Sequence, residues 1–183
     1  MLKEILRKED CAACRFCCAF RRTSLWETPI FTVENTEAIR ENANLDETVL
    51  REFTDGLQTY ATYDLSDKYL TDSPDEEAPC PYLGEHGCLL NDEEKPWDCK
   101  IWPLRVMRKP DGEIVIALTP TCPSINKLDI EAVKAFVRTK LQDDLFAYAA
   151  AHPYLIKDYK DGFPILAQGA NPKEQGFGVS GPF

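Results

Sequence analysis

Eight cysteines carry the chemistry that this chain advertises. Four fall within eight residues, Cys11, Cys14, Cys17 and Cys18 in the run CAACRFCC, and Cys80, Cys88, Cys99 and Cys122 follow beside turn-formers or prolines. A two-residue spacing lets one turn of backbone aim two thiolates at one ion or cluster, which is the pattern of zinc and iron–sulfur ligation. All eight are therefore candidate metal and cofactor ligands. Adjacent Cys17 and Cys18 point apart, by about 100° on a helix or to opposite faces of a strand, so both are not expected to serve one ion. As a loop, the run would wrap Cys11, Cys14 and Cys17 around a cluster. As a helix, it would align Cys11, Cys14 and Cys18 on one face.

Other residues near the cysteines have weaker claims. His86, two positions before Cys88, reads as an exposed turn residue or as a ligand. Trp97 and Trp102 bracket Cys99 as an apolar shield. Arg15, Arg21 and Arg22 flank the first cysteines, either to offset thiolate charge or to receive an anion. There is no Gly-rich phosphate loop and no Ser/His/Asp constellation, so no catalytic residue is nominated. Two readings follow. One is an iron–sulfur protein, with a 4Fe-4S cluster and a redox or cluster-dependent catalytic role. The other is a structural zinc module that presents a surface to a protein partner.

The formal charge of −10, from 31 acidic and 21 basic residues, argues against nucleic acid, whose phosphates demand clustered Lys and Arg. The opening MLKEILRKED is charged and amphipathic. No run of about 18 apolar residues follows, so neither a signal peptide nor a membrane span is expected. The expectation is a cytoplasmic chain with reduced thiols and an unidentified protein or redox partner.

The elements that must position these residues read as an α+β fold. The expected architecture is one small domain over 1–170 with short helices, a β-hairpin, a long C-terminal helix and a loop-rich cysteine metal site, followed by an irregular Gly/Pro-rich tail over 171–183. A first helix is expected over 2–9, and Thr32 caps a second. Asp46 is a further cap opening DETVLREF. Residues 57–65 alternate as a strand, and 71–79 read as an acidic loop. Gly84 and Gly87 mark a turn between Cys80 and Cys88. Asn91 or Asp92 caps a short helix running through Pro96 towards Cys99. Lys-Pro-Asp-Gly turns a hairpin within 104–119. Asp129 caps one helix over about 129–151, with Ile130, Val133, Val137, Leu141 and Leu145 as its core stripe, and His152-Pro153 ends it. A short strand is expected over 163–168. Residues 66–103, with little apolar periodicity, are expected to lean on the metal for their order.

CAACRFCC resembles the C-x2-C-x2-CC signature of the zinc- or iron-chelating cysteine-cluster proteins, the YkgJ-like family. Cys80-Pro81-Tyr82-Leu83, Gly87-Cys88, Lys95-Pro96-Trp97-Asp98-Cys99, Trp102-Pro103 and Cys122-Pro123 extend the likeness, which spans about residues 11–123. Lys95 stands where the family tends to have Arg, and Ser124 where it often has Gly. The resemblance implies a small intracellular domain with a bound metal centre, often labelled an iron–sulfur oxidoreductase. The flagellin lysine N-methylases share a similar signature, which implies a link between an iron–sulfur cluster, S-adenosylmethionine and protein methyl transfer. This chain is short beside those enzymes.

Overall fold

The computed structural model describes Leu2 and residues 4–22, 27–56 and 58–169. The expected tail over 171–183 lies outside the described residues, as does Leu57 at the start of the expected 57–65 strand. The fold is α+β, and the chain separates into two compact units, Met1–Trp102 and Pro103–Phe183. The sequence reading of one domain over 1–170 spans both.

The first unit runs α1 (Lys8–Cys14), β1 (Ala19–Arg21), β2 (Phe31–Thr32), α2 (Val33–Glu41), β3 (Leu50–Asp55), β4 (Gln58–Tyr63), β5 (Glu77–Pro79), β6 (Leu83–Gly84), β7 (Gly87–Cys88) and α3 (Trp97–Ile101). Strands β2, β4 and β3 form one antiparallel sheet in that order; β1 pairs with β5, and β6 with β7. Phe20, Phe31, Ile39, Ala61, Tyr63, Leu65, Ala78, Tyr82 and Leu90 fill its core.

Several expectations shift by a few residues, each for a local reason. The first helix is α1, not 2–9. Arg7 is extended and starts the helix late, and Glu9 and Asp10 then sit in its first turn, where the helix dipole favours negative charge. Asp46 accepts from the Thr48 N–H, but only a 3-10 turn over Glu47–Val49 follows before the chain extends into β3. Phe53 and Thr54 favour a strand, and β4 is close at hand across Gly56, whose positive φ suits the hairpin turn. The expected 71–79 loop ends in β5. Thr32 caps α2 as expected, its N–H bonded to Asn35 Oδ1 at 3.2 Å. Asn91 caps only a turn, accepting from the Glu93 and Glu94 N–H groups. Extended Pro96 delays the helix to α3.

The second unit runs β8 (Leu104–Arg108), β9 (Ile114–Leu118), α4 (Ile130–Lys140), α5 (Gln142–Ala151), β10 (Lys157–Asp158) and β11 (Ile165–Gln168). The sheet order is β10-β8-β9-β11, with β10 parallel to β8 and the other pairs antiparallel. The Lys109–Gly112 turn closes the β8–β9 hairpin. The expected long helix divides at Leu141, which leaves helical geometry. The Thr139 hydroxyl bonds back to Ala135 O at 2.8 Å one turn earlier, a contact that bends helices. The stripe survives the bend: Val133, Val137, Leu141 and Leu145 are all buried. Among the described residues, no helix is long and apolar enough to cross a membrane.

Candidate metal centre

Seven of the eight cysteines belong to the first unit, and its strand pairings determine how they meet. Helix α1 carries Cys11 and Cys14, both exposed. It ends at Arg15, which at φ 54° is the one described non-glycine residue with positive φ. Its N–H closes on Cys11 O at 3.0 Å. This left-handed cap reverses the chain into the turn Phe16–Cys18 and then β1. The run CAACRFCC is thus neither one helix nor one loop.

Pairing of β1 with β5 sets Ala19 opposite Pro79, and the Cys80 N–H donates to Cys18 O at 2.7 Å. Cys18 and Cys80 therefore flank the same end of a two-stranded ladder. From Cys80 the chain turns, Leu83 N–H to Cys80 O at 3.0 Å, into the β6–β7 hairpin that carries Cys88. Gly87, at φ +107°, lets α1 sit on that hairpin: a Cβ there would meet the Ala12 Cβ at 3.3 Å. The Arg15 guanidinium donates to Glu85 O across the same contact.

Cys99 arrives on α3, whose segment is anchored by buried polar side chains. Asn35 donates to Glu93 O at 2.7 Å and to Lys95 O at 3.3 Å. Glu94, 2% exposed, accepts from Asn42 Nδ2 at 2.8 Å and from the Asn91 N–H at 2.7 Å. Asp98, also buried, accepts from the Ile30 N–H at 3.1 Å. Polar groups this deep need such partners, and here they tie the cysteine-bearing loop to α2 and β2.

Electrostatically the thiols form one neighbourhood. Cys99 feels Cys80, Cys88 and Cys18; Cys80 feels Cys18 and Cys88; Cys17 feels Cys18, Cys99 and Cys11. Desolvation pushes the Cys99 thiol well above its ordinary value, with repulsion from Cys80 and Asp98 adding to it. The residue is nonetheless exposed to solvent. Desolvation also raises Cys80, to about 11, against two opposing hydrogen bonds from the Tyr63 hydroxyl and the Tyr82 backbone N–H. The adjacent Cys17 and Cys18 thiols act most strongly on each other, one as proton donor and one as acceptor. Cys17 keeps its proton and rises, while Cys18, as acceptor and with Lys95 and Arg15 nearby, falls to about 7.

Cys80 and Cys88 pack against the core, so the group lies at the core's edge. Among the described residues, no three His, Cys, Asp or Glu side chains are disposed to hold a metal ion. The thiols gather without closing on a point. Cys122 belongs to the second unit and is buried there. His86 is exposed at the hairpin tip, and Trp97 and Trp102 are half-buried.

The three arginines serve the fold. Arg21 pairs with Glu27. Arg22 pairs with Glu76 at 3.2 Å, bonds to Thr71 O, and lies over the Tyr69 ring at 4.7 Å. Arg15 is the one whose charge reaches a thiol. Sequence reasoning missed Asn35, Glu94 and Tyr63, since a lone Asn, Glu or Tyr carries no spacing signal. Compared with known families, curated proteins and solved structures, the chain matches none.

Proposed function

We propose that the first unit holds a metal centre through Cys18, Cys80, Cys88 and Cys99, with Cys11, Cys14 and Cys17 bordering it. The observation that carries this reading is the mutual electrostatic influence of Cys18, Cys80, Cys88 and Cys99. Four thiols from four separated segments sense one another at the core's edge. An all-sulfur donor set is soft and suits iron–sulfur or zinc. The Cys80 sulfur shares a hydrogen bond with the buried Tyr63 hydroxyl at 3.2 Å, and donation by that hydroxyl would offset part of the desolvation that raises the thiol.

Of the two metals, the proposal takes an iron–sulfur cluster of the 4Fe-4S type. The C-x2-C-x2-CC run and its resemblance to the cysteine-cluster proteins favour it. Such a cluster would supply one-electron chemistry to a protein or redox partner in a reducing, cytoplasmic setting. The chain's own residues would shape that chemistry. Arg15 and Lys95 lend positive potential to Cys18, and Tyr63 and the Tyr82 N–H draw charge from Cys80. Zinc is the second reading, favoured by the surface run from Glu9 to Cys18, in which no residue is buried. A structural ion would fasten that run to the rest of the unit. Cys122 is left out of the four and is expected to be dispensable for metal.

Protein purified without oxygen decides the matter. Brown protein with iron and acid-labile sulfide supports the cluster. Colourless protein with stoichiometric zinc supports the structural ion. Metal-free protein with eight titratable thiols rejects both.

A further inference from the structure

Strand β3 stands at one edge of the β2-β4-β3 sheet and spans Leu50–Asp55, six residues. It is the longest edge strand among the described residues; β2, at the opposite edge, has two. An open edge invites pairing with another chain, and proteins blunt it with proline, a bulge, brevity or charge. β3 uses the last alone. LREFTD contains no proline, and its register on β4 runs unbroken from Leu50 opposite Tyr63 to Asp55 opposite Gln58. Arg51, Glu52, Thr54 and Asp55 are exposed, and Leu50 and Phe53 are half-buried. The ladder also tells which backbone groups the edge offers. The Asp64 N–H donates to Val49 O at 2.8 Å, in the register that continues into β3. Antiparallel pairs alternate between bonded and non-bonded. Counted from Val49, Arg51, Phe53 and Asp55 turn their N–H and C=O groups towards β4, and Leu50, Glu52 and Thr54 turn theirs outward.

We propose that the β3 edge is a self-association surface: β3 pairs antiparallel with β3 of a second copy, about a two-fold axis at Phe53. Two identical antiparallel strands related by such an axis centre on one residue, which then faces itself. Centring on Arg51, Glu52 or Asp55 sets a charge opposite its own kind, which is destabilising. Centring on Leu50 or Thr54 leaves Arg51 with no acid across from it. Centring on Phe53 sets Arg51 opposite the partner's Asp55, and the symmetry repeats that pair. In the same register the outward groups of Glu52 meet those of the partner's Thr54, a two-way backbone exchange on each side of the axis. Arg51, Phe53 and Asp55 share one face of the strand, as its period of two requires. The two ion pairs therefore flank a contact between the Phe53 rings, beside the stack of Phe53 on Tyr60 at 6.0 Å. The order of charges along the edge thus disfavours most self-pairings and favours one. This association involves no cysteine and stands apart from the proposed metal centre.

The test is sedimentation equilibrium of the full chain over a concentration series in reducing buffer, with the variants Arg51→Asp, Asp55→Arg and Thr54→Pro. The parent is expected to dimerise reversibly. Arg51→Asp and Asp55→Arg each set like charges across the axis, and each is expected to weaken the dimer about tenfold or more. Mixed in equal amounts, the two variants restore both opposite-charge pairs, so the mixture is expected to form a heterodimer where neither variant pairs with itself. Thr54→Pro removes an outward N–H and no bond to β4, and is expected to be monomeric with the parent's circular dichroism. The charge variants change exposed positions and decide the matter should Thr54→Pro fail to fold. A parent that stays monomeric at millimolar concentration overturns the proposal. So does a dimer whose affinity is unchanged in the charge variants, since it uses another face. A mixture that associates no better than its components overturns the register centred on Phe53.

Discussion

Asn35→Ala is the sharpest test of how the scaffold presents Cys99. Asn35 is 7% exposed, and its side chain makes four contacts: Glu93 O at 2.7 Å, Lys95 O at 3.3 Å, Thr32 N at 3.2 Å and Thr32 Oγ1 at 3.3 Å. The two strongest, to Glu93 O and from the Thr32 N–H, are each worth about 1 kcal/mol net. Leaving the Glu93 carbonyl without its short partner adds about 1 kcal/mol. Alanine's better helix propensity returns about 0.5 kcal/mol at this first-turn position. The sum is a loss of roughly 2–3 kcal/mol, which would increase opening of this segment about 30- to 150-fold. Hydrogen exchange read by mass spectrometry should show that loss in peptides covering α2 and residues 91–101, while the β8–β9 hairpin stays unchanged. Asn35→Asp should cost more, since it puts a carboxylate against two carbonyl oxygens. Metal content should fall in both variants, because the 91–101 segment carries Cys99. A change below about 0.5 kcal/mol in α2 and 91–101 would show that this side chain does not anchor the site.

Three further outcomes are expected. Cys99→Ser should lower metal content sharply and Cys122→Ser should leave it unchanged, as read by metal analysis of anaerobically purified protein. Equal losses would refute the four-thiolate assignment. Glu76 is a carboxylate that burial would raise but that is held down to about 2 by the Leu70 and Thr71 N–H groups, the Thr71 hydroxyl and Arg22. Its stabilising contribution is therefore complete above its ordinary value of 4.5 and disappears as pH falls towards 2. Accordingly, Glu76→Gln should be less stable than the parent at pH 7 and should converge with it in urea titrations near pH 2. A constant gap across that range would refute the assignment. Metal removal should loosen α1 and the cysteine turn before any other described part of the first unit.

The sequence made some features legible and hid others for identifiable reasons. Strong local signals translated directly: Thr32 and Asp129 as caps, the Lys-Pro-Asp-Gly hairpin, and the apolar stripe from Val133 to Leu145. Elements that depend on a distant partner were obscure. Strand β5 has three residues, and it exists because β1 lies beside it. Nothing in Glu-Ala-Pro announces that. β3 read as the sequel to a cap because Asp46 does cap a turn; only pairing with β4 makes the next residues extend. The site divides in the same way. Cysteine spacing pointed to a cluster, but Cys11 and Cys14, the best-spaced pair, remain exposed on α1. The isolated Cys80, Cys88 and Cys99 are instead electrostatic neighbours of one another and of Cys18. Strand pairing brought Cys80 there, through its N–H to Cys18 O, and a two-residue spacing rule has no access to that bond.

The same hydrogen bonds decide what a metal would have to hold in place. From sequence, residues 66–103 looked too poor in apolar periodicity to order themselves. The structure supplies another means of order there, since Glu94, Asp98 and Ile101 are buried and the two acids are bonded to Asn42, Asn91 and Ile30. The loop before β5 is likewise held by Glu76 on Leu70, Thr71 and Arg22. The run from Glu9 to Cys18 has no buried residue, and Arg15 to Glu85 O and Cys80 N–H to Cys18 O are among its ties to the rest of the unit. Ordering costs about 1–2 kcal/mol per residue for the backbone, so ten residues need on the order of 10 kcal/mol or more. Hydrogen bonds worth about 1 kcal/mol each offset only part of that, whereas a structural thiolate centre contributes on the order of 10 kcal/mol. Chelation should therefore raise amide exchange strongly in peptides covering 8–18 and weakly in 91–101, with β4 and the second unit unaffected. Equal deprotection of 8–18 and 91–101 would show that the buried acids do not order their loop. Unchanged protection of 8–18 would show that the metal does not bind the cysteine run at all.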